Sequence, residues 1–302
     1  AGREGAALQI GGGVGFAAGR LFRLDEKELR MATLCGMSAL FSALFGTPLT
    51  AAVFALEVVS VGQLYYSGLV PCLASALTAY GITGLFGIAP TRFSIPFVAL
   101  SADGLWRVAV LAVLCALVSI LFCVTMHKSA HFAEKYLPNA YLRAAAGGVI
   151  IIALTLLLGT TDYNGAGVGV ITAALERGEA RPEAFLLKLV FTAVTLASGY
   201  RGGEVVPAFF IGSTFGCAAG ALLGLDPGFA AGIGLVAVFC GAVNCPVASM
   251  FLSVELFGSG EILYFALACC VSYMLSGYTG LYSSQKIMYS KLRPEFIDIN
   301  AK

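Results

Sequence analysis

The sequence is poor in charge. Asp, Glu, Lys and Arg together make up 12% of its 302 residues, where a soluble globular domain carries about 25%. Eighteen basic and seventeen acidic side chains cannot cover a body of this size with water-facing groups, so most of its surface must face lipid or other protein. The net charge of +1 supplies no basic field for a nucleic acid. Histidine occurs only twice. His127 and His131, with Glu134 after them, could share one helical face, but with no further ligand cluster they read as a solvated helix end rather than a metal site. The two His, the scattered Ser and the unpaired Cys form no catalytic cluster, and no cofactor is expected.

What the sequence has instead is apolar length. Hydrophobic residues make up 59% of the chain, and the mean hydropathy is +0.89. The nine cysteines lie inside apolar runs and read as small buried hydrophobes. Long apolar windows cover residues 31–56, 58–90, 108–126, 144–161, 205–225, 227–254 and 262–285. Several exceed the roughly 20 residues that one helical crossing needs, so they must be broken. Pro48, Pro71 and Pro246 mark the expected breaks, because each removes an amide donor that must be compensated inside protein. The charged segments between windows mix both signs, which leaves membrane orientation weakly determined. No signal-peptide pattern stands at the front, and the start on Ala1 reads as a piece of a longer protein.

The most informative pattern is an internal repeat. Near the front, GREGAALQIGGGVG is followed by CGMSALFSALFGTPLTAAVFALEV; near the back, GGEVVPAFFIGSTFG is followed by FCGAVNCPVASMFLSVEL. Pro48 precedes Glu57 by nine positions, as Pro246 precedes Glu255, while Glu4 precedes Pro48 by 44 and Glu204 precedes Pro246 by 42. One architectural unit is used twice. In membrane transporters such units are related by a pseudo-two-fold axis, with the site near the bilayer centre where broken helices meet. Glycines let backbone approach closely, and the amides of a helix start carry partial positive charge. The starts at residues 2–5 and 202–207 are therefore expected to converge on a shared anion.

These motifs resemble the CLC chloride channel and transporter family. GREGAALQIGG resembles its GREG motif, GGEVVPAFFIG its second pore motif, and GLYSSQ the segment that carries its pore tyrosine. The resemblance implies an all-α, inverted-repeat CLC fold with broken, tilted helices, from which the N-terminal part of the first repeat is absent. It divides the chain into residues 1–99, the remainder of the first repeat; 100–281, the second; and 282–302, the pore tyrosine with a C-terminal helix over 283–290. It also implies a multi-pass homodimer in lipid, in a bacterial plasma membrane, with one anion pathway per subunit. The apolar helices at residues 48–58, 64–85, 246–257 and 261–277 are expected to build the dimer contact. A further pore motif would come from the missing N-terminal segment of the same protein.

On this resemblance Glu4 is the gating glutamate. A carboxylate at an anion site mimics the anion, and protonation releases the place to the transported ion. Gly2, Arg3, Gly5, Gly203, Val205, Val206 and the hydroxyl of Tyr282 are the implied anion-binding groups. The alternative for Glu4 and Arg3 is a pair of helix-end charges; for Tyr282 it is an interfacial belt tyrosine. Two departures separate the chain from chloride-exchanging members. Val58 stands where they carry an inner glutamate, which leaves Glu57 and Glu255 as structural residues at equivalent helix ends. Glu204, in GGEVVP, resembles the fluoride-transporting branch, where an acid here takes part in proton coupling and a Thr commonly follows two residues later, at the position of Val206. The alternative for Glu204 is a helix N-terminal carboxylate beside Arg201. The expected function is fluoride/proton antiport that exports fluoride. A chloride/proton antiporter, a voltage-gated-type chloride channel, and more remotely a membrane-embedded enzyme or scaffold are the alternatives.

Overall fold

A computed structural model describes Gly2 and residues 4–301, so Arg3 lies outside the described residues. Two four-helix series frame the molecule. The first is α1 (Glu4–Leu21), α2 (Glu26–Phe45), α3 (Pro48–Glu57) and α4 (Leu69–Leu85). A second group, α5 (Ala102–Tyr136), α6 (Ala140–Leu158), α7 (Val168–Thr172) and α8 (Ala184–Ala197), leads into the other series. That series is α9 (Val205–Leu222), α10 (Pro227–Val243), α11 (Pro246–Phe257) and α12 (Ile262–Leu275). Helix lengths run in step, with 18 residues in both α1 and α9, and 10 in α3 against 12 in α11.

Local chemistry starts and stops these helices. Asp25 and Glu28 form a capping box on α2, and Asp226 caps α10 by accepting from the amides of Gly228 and Phe229. Pro48 and Pro246 each take the first helical position, where no amide donor is needed. The breaks before them fall at Gly46 and Asn244, both in the left-handed region. Pro71, in contrast, breaks nothing. It lies in the first turn of α4, and the interruption falls earlier, at the short strand β1 (Ser60–Val61) and the 3-10 turn Tyr66–Gly68.

The same device packs each pair of leading helices. A Cβ on Gly11 of α1 would run into the carbonyl of Gly36 on α2, and a Cβ on Gly212 of α9 would run into that of Gly234 on α10. Helix α10 forms the centre of the core, with every residue from Gly228 to Val243 buried. Helix α3 is also internal: Thr50 through Glu57 are all buried, so it cannot present the broad outward face expected of a dimer helix. An apolar side chain reads alike whether it meets lipid or protein, and here it meets α2, α4 and α11. Cys35 is half-buried and Cys270 exposed, so the buried reading of the cysteines holds for the other seven.

Among the described residues, five helices are long and apolar enough to cross a membrane, including Ala102–Tyr136 and Val205–Leu222. The C-terminal helix expected over 283–290 is not formed. A turn closed by the Gln285 amide on the Tyr282 carbonyl (2.9 Å) leads into β2 (Lys286–Tyr289), parallel to β1 and antiparallel to β3 (Phe296–Asn300). Ile287 is fully buried in this sheet while its neighbours are exposed or half-buried, the alternation of a strand rather than a helix.

Candidate functional site

The two glycine-rich motifs meet. Gly2 and Gly203 form an isolated antiparallel bridge: the Gly2 amide donates to the Gly203 carbonyl at 2.9 Å, and the Gly203 amide to the Gly2 carbonyl at 2.7 Å. At Gly203 only glycine allows this approach, because a Cβ there would run into the backbone amides of Glu4 and Gly5; on Gly2 it would meet the Glu4 carboxylate. The bridge also corrects one expectation. The amides of Gly2 and Gly203 are committed to each other, so they are not the donors that face an anion.

Donors remain at the helix starts beside the bridge. Glu4 opens α1 and is buried, and Gly5 follows it against the carbonyl of Gly202. Val205 and Val206 open α9 and are buried. Amides in a first helical turn have no carbonyl partner within their own helix, so both starts present donors and a positive dipole end to the same region. Glu204 immediately precedes α9, and its side chain makes no capping hydrogen bond there.

Two cavities flank this junction and share Gly5, Gln9 and Gly202. One, of about 500 Å³, is lined by Ala6, Ile10, Tyr200 and Arg201. The other, of about 460 Å³, is lined by Phe54, Val58, Gly203, Glu204, Tyr282 and Gln285. Tyr282 thus joins the convergence. Its backbone is pinned on both sides, by Leu281 donating to the Ala242 carbonyl and by the turn to Gln285, each at 2.9 Å. Gln285 in turn donates to the carbonyls of Val58 and Val243, both at 2.8 Å. No ionisable side chain occupies the Val58 position on this wall.

Two residues to which sequence reasoning gave no role at the site belong to the surroundings. Lys188 is fully buried, donates to the carbonyls of Tyr163 (3.1 Å) and Gly165 (2.7 Å), and sits 4.8 Å above the ring of Phe210 on α9. Its signal was an isolated lysine inside the apolar run of α8, which in a membrane protein points to function by default. The second is His127, whose Nε2 lies 2.8 Å from the Gly280 carbonyl, two residues before Tyr282.

Duplicated broken helices whose N-termini and acids converge inside a membrane-spanning body define a multi-pass membrane protein with a buried site at the repeat junction. The comparisons name the lineage: a model of the voltage-gated chloride channel family matches residues 1–277, and the chain belongs to this CLC family. It is 39% identical, over 96% of its length and 66% of the relative's, to a chloride/fluoride channel protein of Pseudomonas syringae pv. tomato. It is 26% identical to an H(+)/Cl(-) exchange transporter ClcA of Vibrio campbellii, over 84% of this chain and 58% of that protein. Among solved structures, a CLC-type fluoride/proton antiporter superposes with TM-score 0.91 at 32% identity, covering 94% of this chain and 72% of that one. A slow cyanobacterial Cl-/H+ antiporter shares the fold, with TM-score 0.75 at 20% identity over 91% of this chain and 68% of that one. The chain therefore spans about two thirds of the Pseudomonas relative and less of the Vibrio one.

Proposed function

We propose that the protein containing this chain is a fluoride/proton antiporter that exports fluoride at the expense of inward protons. The observation that carries the reading is the meeting of two acids at one junction. Glu4 and Glu204 stand at the starts of α1 and α9, beside the Gly2–Gly203 bridge, while Val58 leaves the usual inner acid position empty of charge. The likeness to a fluoride/proton antiporter points the same way.

The chemistry follows from the geometry. Fluoride is small and strongly hydrated, so a pathway that admits it must replace its water with close donors. The first-turn amides of α1 and α9 and the Tyr282 hydroxyl supply them. Glu4, charged, takes the place of the anion; protonated, it yields that place. Glu204 is the second proton acceptor, facing the cavity shared with Tyr282. Arg3 keeps its place in the proposal as the basic neighbour of the gate in sequence. The reading is of a transporter and not of an enzyme.

We further propose a homodimer. Outward apolar residues on α4 (Val70, Leu77), α11 (Val247, Phe251) and α12 (Leu263, Met274) support this part of the reading.

Fluoride and chloride efflux from loaded liposomes containing the full-length protein test the assignment. The expected result is rapid fluoride efflux with inward proton movement and little chloride efflux. Equal fluxes of both anions would return the protein to a chloride-transporting role.

A further inference from the structure

We infer that the groove between α5, α6 and α8 is a binding site for one anionic phospholipid, with an acyl chain along its apolar half and the phosphate held by Arg143 and Lys128. The site goes beyond the antiport reading and does not depend on which anion the protein moves.

The groove has a volume of about 740 Å³. One stripe of α5 runs along it: Leu121, Val124, Lys128, Phe132 and Tyr136, spaced three or four residues apart as one helical face requires. From Leu121 to Tyr136 that stripe is about 22 Å long at 1.5 Å per residue. Helix α6 follows α5 after a short connection, residues 137–139, and turns back along it, with Arg143 near the connection and Ile150 two turns further on. Val190, Val194 and Ser198 of α8 also line the groove.

The chemistry of the groove changes along its length. Leu121, Ile150 and Val190 form an apolar half that is open to the outside. Lys128, Arg143 and Tyr136 stand at the other end, and among the described residues no acid lines the groove. The depth of each half follows from α5. Its 35 residues extend about 52 Å, well beyond the hydrocarbon thickness of about 30 Å. One end must therefore leave the hydrocarbon, and it is the end that carries His127, Lys128, His131, Glu134 and Lys135. The apolar half then lies at acyl-chain depth and the basic half at headgroup level, the order in which a phospholipid presents its own parts. An apolar helix of a partner protein would leave both cations unmatched.

The basic end has donors to offer. Arg143 Nη1 lies 3.4 Å from the Leu137 carbonyl, a long contact, and its Nε is buried with no hydrogen-bond partner. Among the described residues, neither Arg143 nor Lys128 forms an ion pair. A guanidinium fork fits two phosphate oxygens, and an ammonium adds a point charge beside them. A buried donor left unpaired is costly, so an acceptor that reaches it is held firmly.

The groove also touches the approach to the candidate site. A Cβ on Gly147 of α6 would run into the Ser198 hydroxyl, and the Tyr200 hydroxyl donates to the Ala144 carbonyl at 2.9 Å. Helix α6 thus braces the segment that leads to Glu204, six residues after Ser198. A lipid lying across α5, α6 and α8 reinforces that brace.

The test is lipid retention by the full-length protein in mild detergent, read by native mass spectrometry. The probes are dioleoyl phosphatidylglycerol, which is anionic, and dioleoyl phosphatidylcholine, which has the same chains and no net charge. The parent should retain phosphatidylglycerol at least about fivefold better, and Lys128→Gln and Arg143→Gln should each lower that retention about fivefold, the effect of one basic residue at an anionic lipid surface. Lys128 is exposed, so its variant keeps the fold. Ile150→Trp, which fills the apolar half and leaves both cations in place, should lower phosphatidylglycerol retention as well, and excess inorganic phosphate should not displace the lipid. Phosphatidylglycerol should also raise the thermal unfolding midpoint of the parent and not that of the charge variants. Equal retention of the two lipids, or parent-like retention in both charge variants, would overturn the inference. Displacement by inorganic phosphate together with an unaffected Ile150→Trp would also overturn it, since the basic end would then be an ion site without a chain.

Discussion

Glu57 and Glu255 hold the starts of each other's helices. Glu57, at the end of α3, accepts from the amides of Val247 (3.2 Å) and Ala248 (2.8 Å) at the start of α11. Glu255, near the end of α11, accepts from the amides of Leu49 (2.9 Å) and Thr50 (2.8 Å) and from the Thr50 hydroxyl (2.6 Å) at the start of α3. The two helices therefore lie antiparallel, each supplying the carboxylate that the other's positive end requires. This reciprocity is the repeat made physical. It also explains why both acids sit nine residues after a helix-starting proline.

Removing either cap should destabilise the fold. Glu57→Ala strands the Val247 and Ala248 amides in a buried setting, at a cost on the order of 2–3 kcal/mol, while Glu255→Ala frees amides at the half-exposed start of α3 and should cost about 1 kcal/mol. The caps stand at opposite ends of the helix pair with different partners, so the double variant should lose nearly the sum. Thermal unfolding of the purified protein in mild detergent checks both statements.

Glu4→Gln mimics a permanently protonated gate. Fluoride should continue to move while proton uptake is abolished in the full-length protein. Parallel anion and proton flux measurements on liposomes decide it; an unchanged proton-to-anion ratio removes Glu4 from the gate.

Glu204→Gln should weaken proton coupling more than fluoride binding, because the donors to the anion are backbone amides and the Tyr282 hydroxyl rather than this carboxylate. Fluoride binding by calorimetry, set beside the proton-to-fluoride ratio, separates the two effects. If both stay at parent values, Glu204 is a helix-end charge.

Lys188→Met should cost stability on the order of 2 kcal/mol, since two carbonyls lose a charged donor in a buried setting. Lys188→Arg should not restore it, because a planar fork cannot take the place of a compact ammonium above the Phe210 ring. Unfolding midpoints of the two variants provide the comparison.

Trp in place of Val247 and Leu263, both exposed, should yield monomers in mild detergent without loss of fold. Light scattering reads the outcome, and a persistent dimer relocates the interface.

Much of this was legible in one dimension. The spacing of Pro48 to Glu57 and of Pro246 to Glu255 announced equivalent units, and those prolines begin helices as their chemistry requires. The glycines near Glu4 and Glu204 announced close approach. Other elements were silent. The segment after Tyr282 looked helical because its strand is four residues long and its first partner, β1, has only two. The inward course of α3 was hidden because lipid and protein interior select the same side chains. His127 looked like a solvated helix end, since nothing near it in sequence reveals Gly280.

The sequence by itself determined the membrane setting, the duplication, the helix breaks at Pro48 and Pro246 though not the one expected at Pro71, and the acids that head the helices, because each follows from local chemistry: hydropathy, missing amide donors, glycine and capping. Only the tertiary structure decided that Gly2 and Gly203 spend their amides on each other, that Glu57 and Glu255 exchange helix ends, that Lys188 reaches the loop carbonyls of Tyr163 and Gly165, and that His127 touches Gly280. Those contacts join residues 23 to 206 positions apart, and no local preference encodes a partner at that distance.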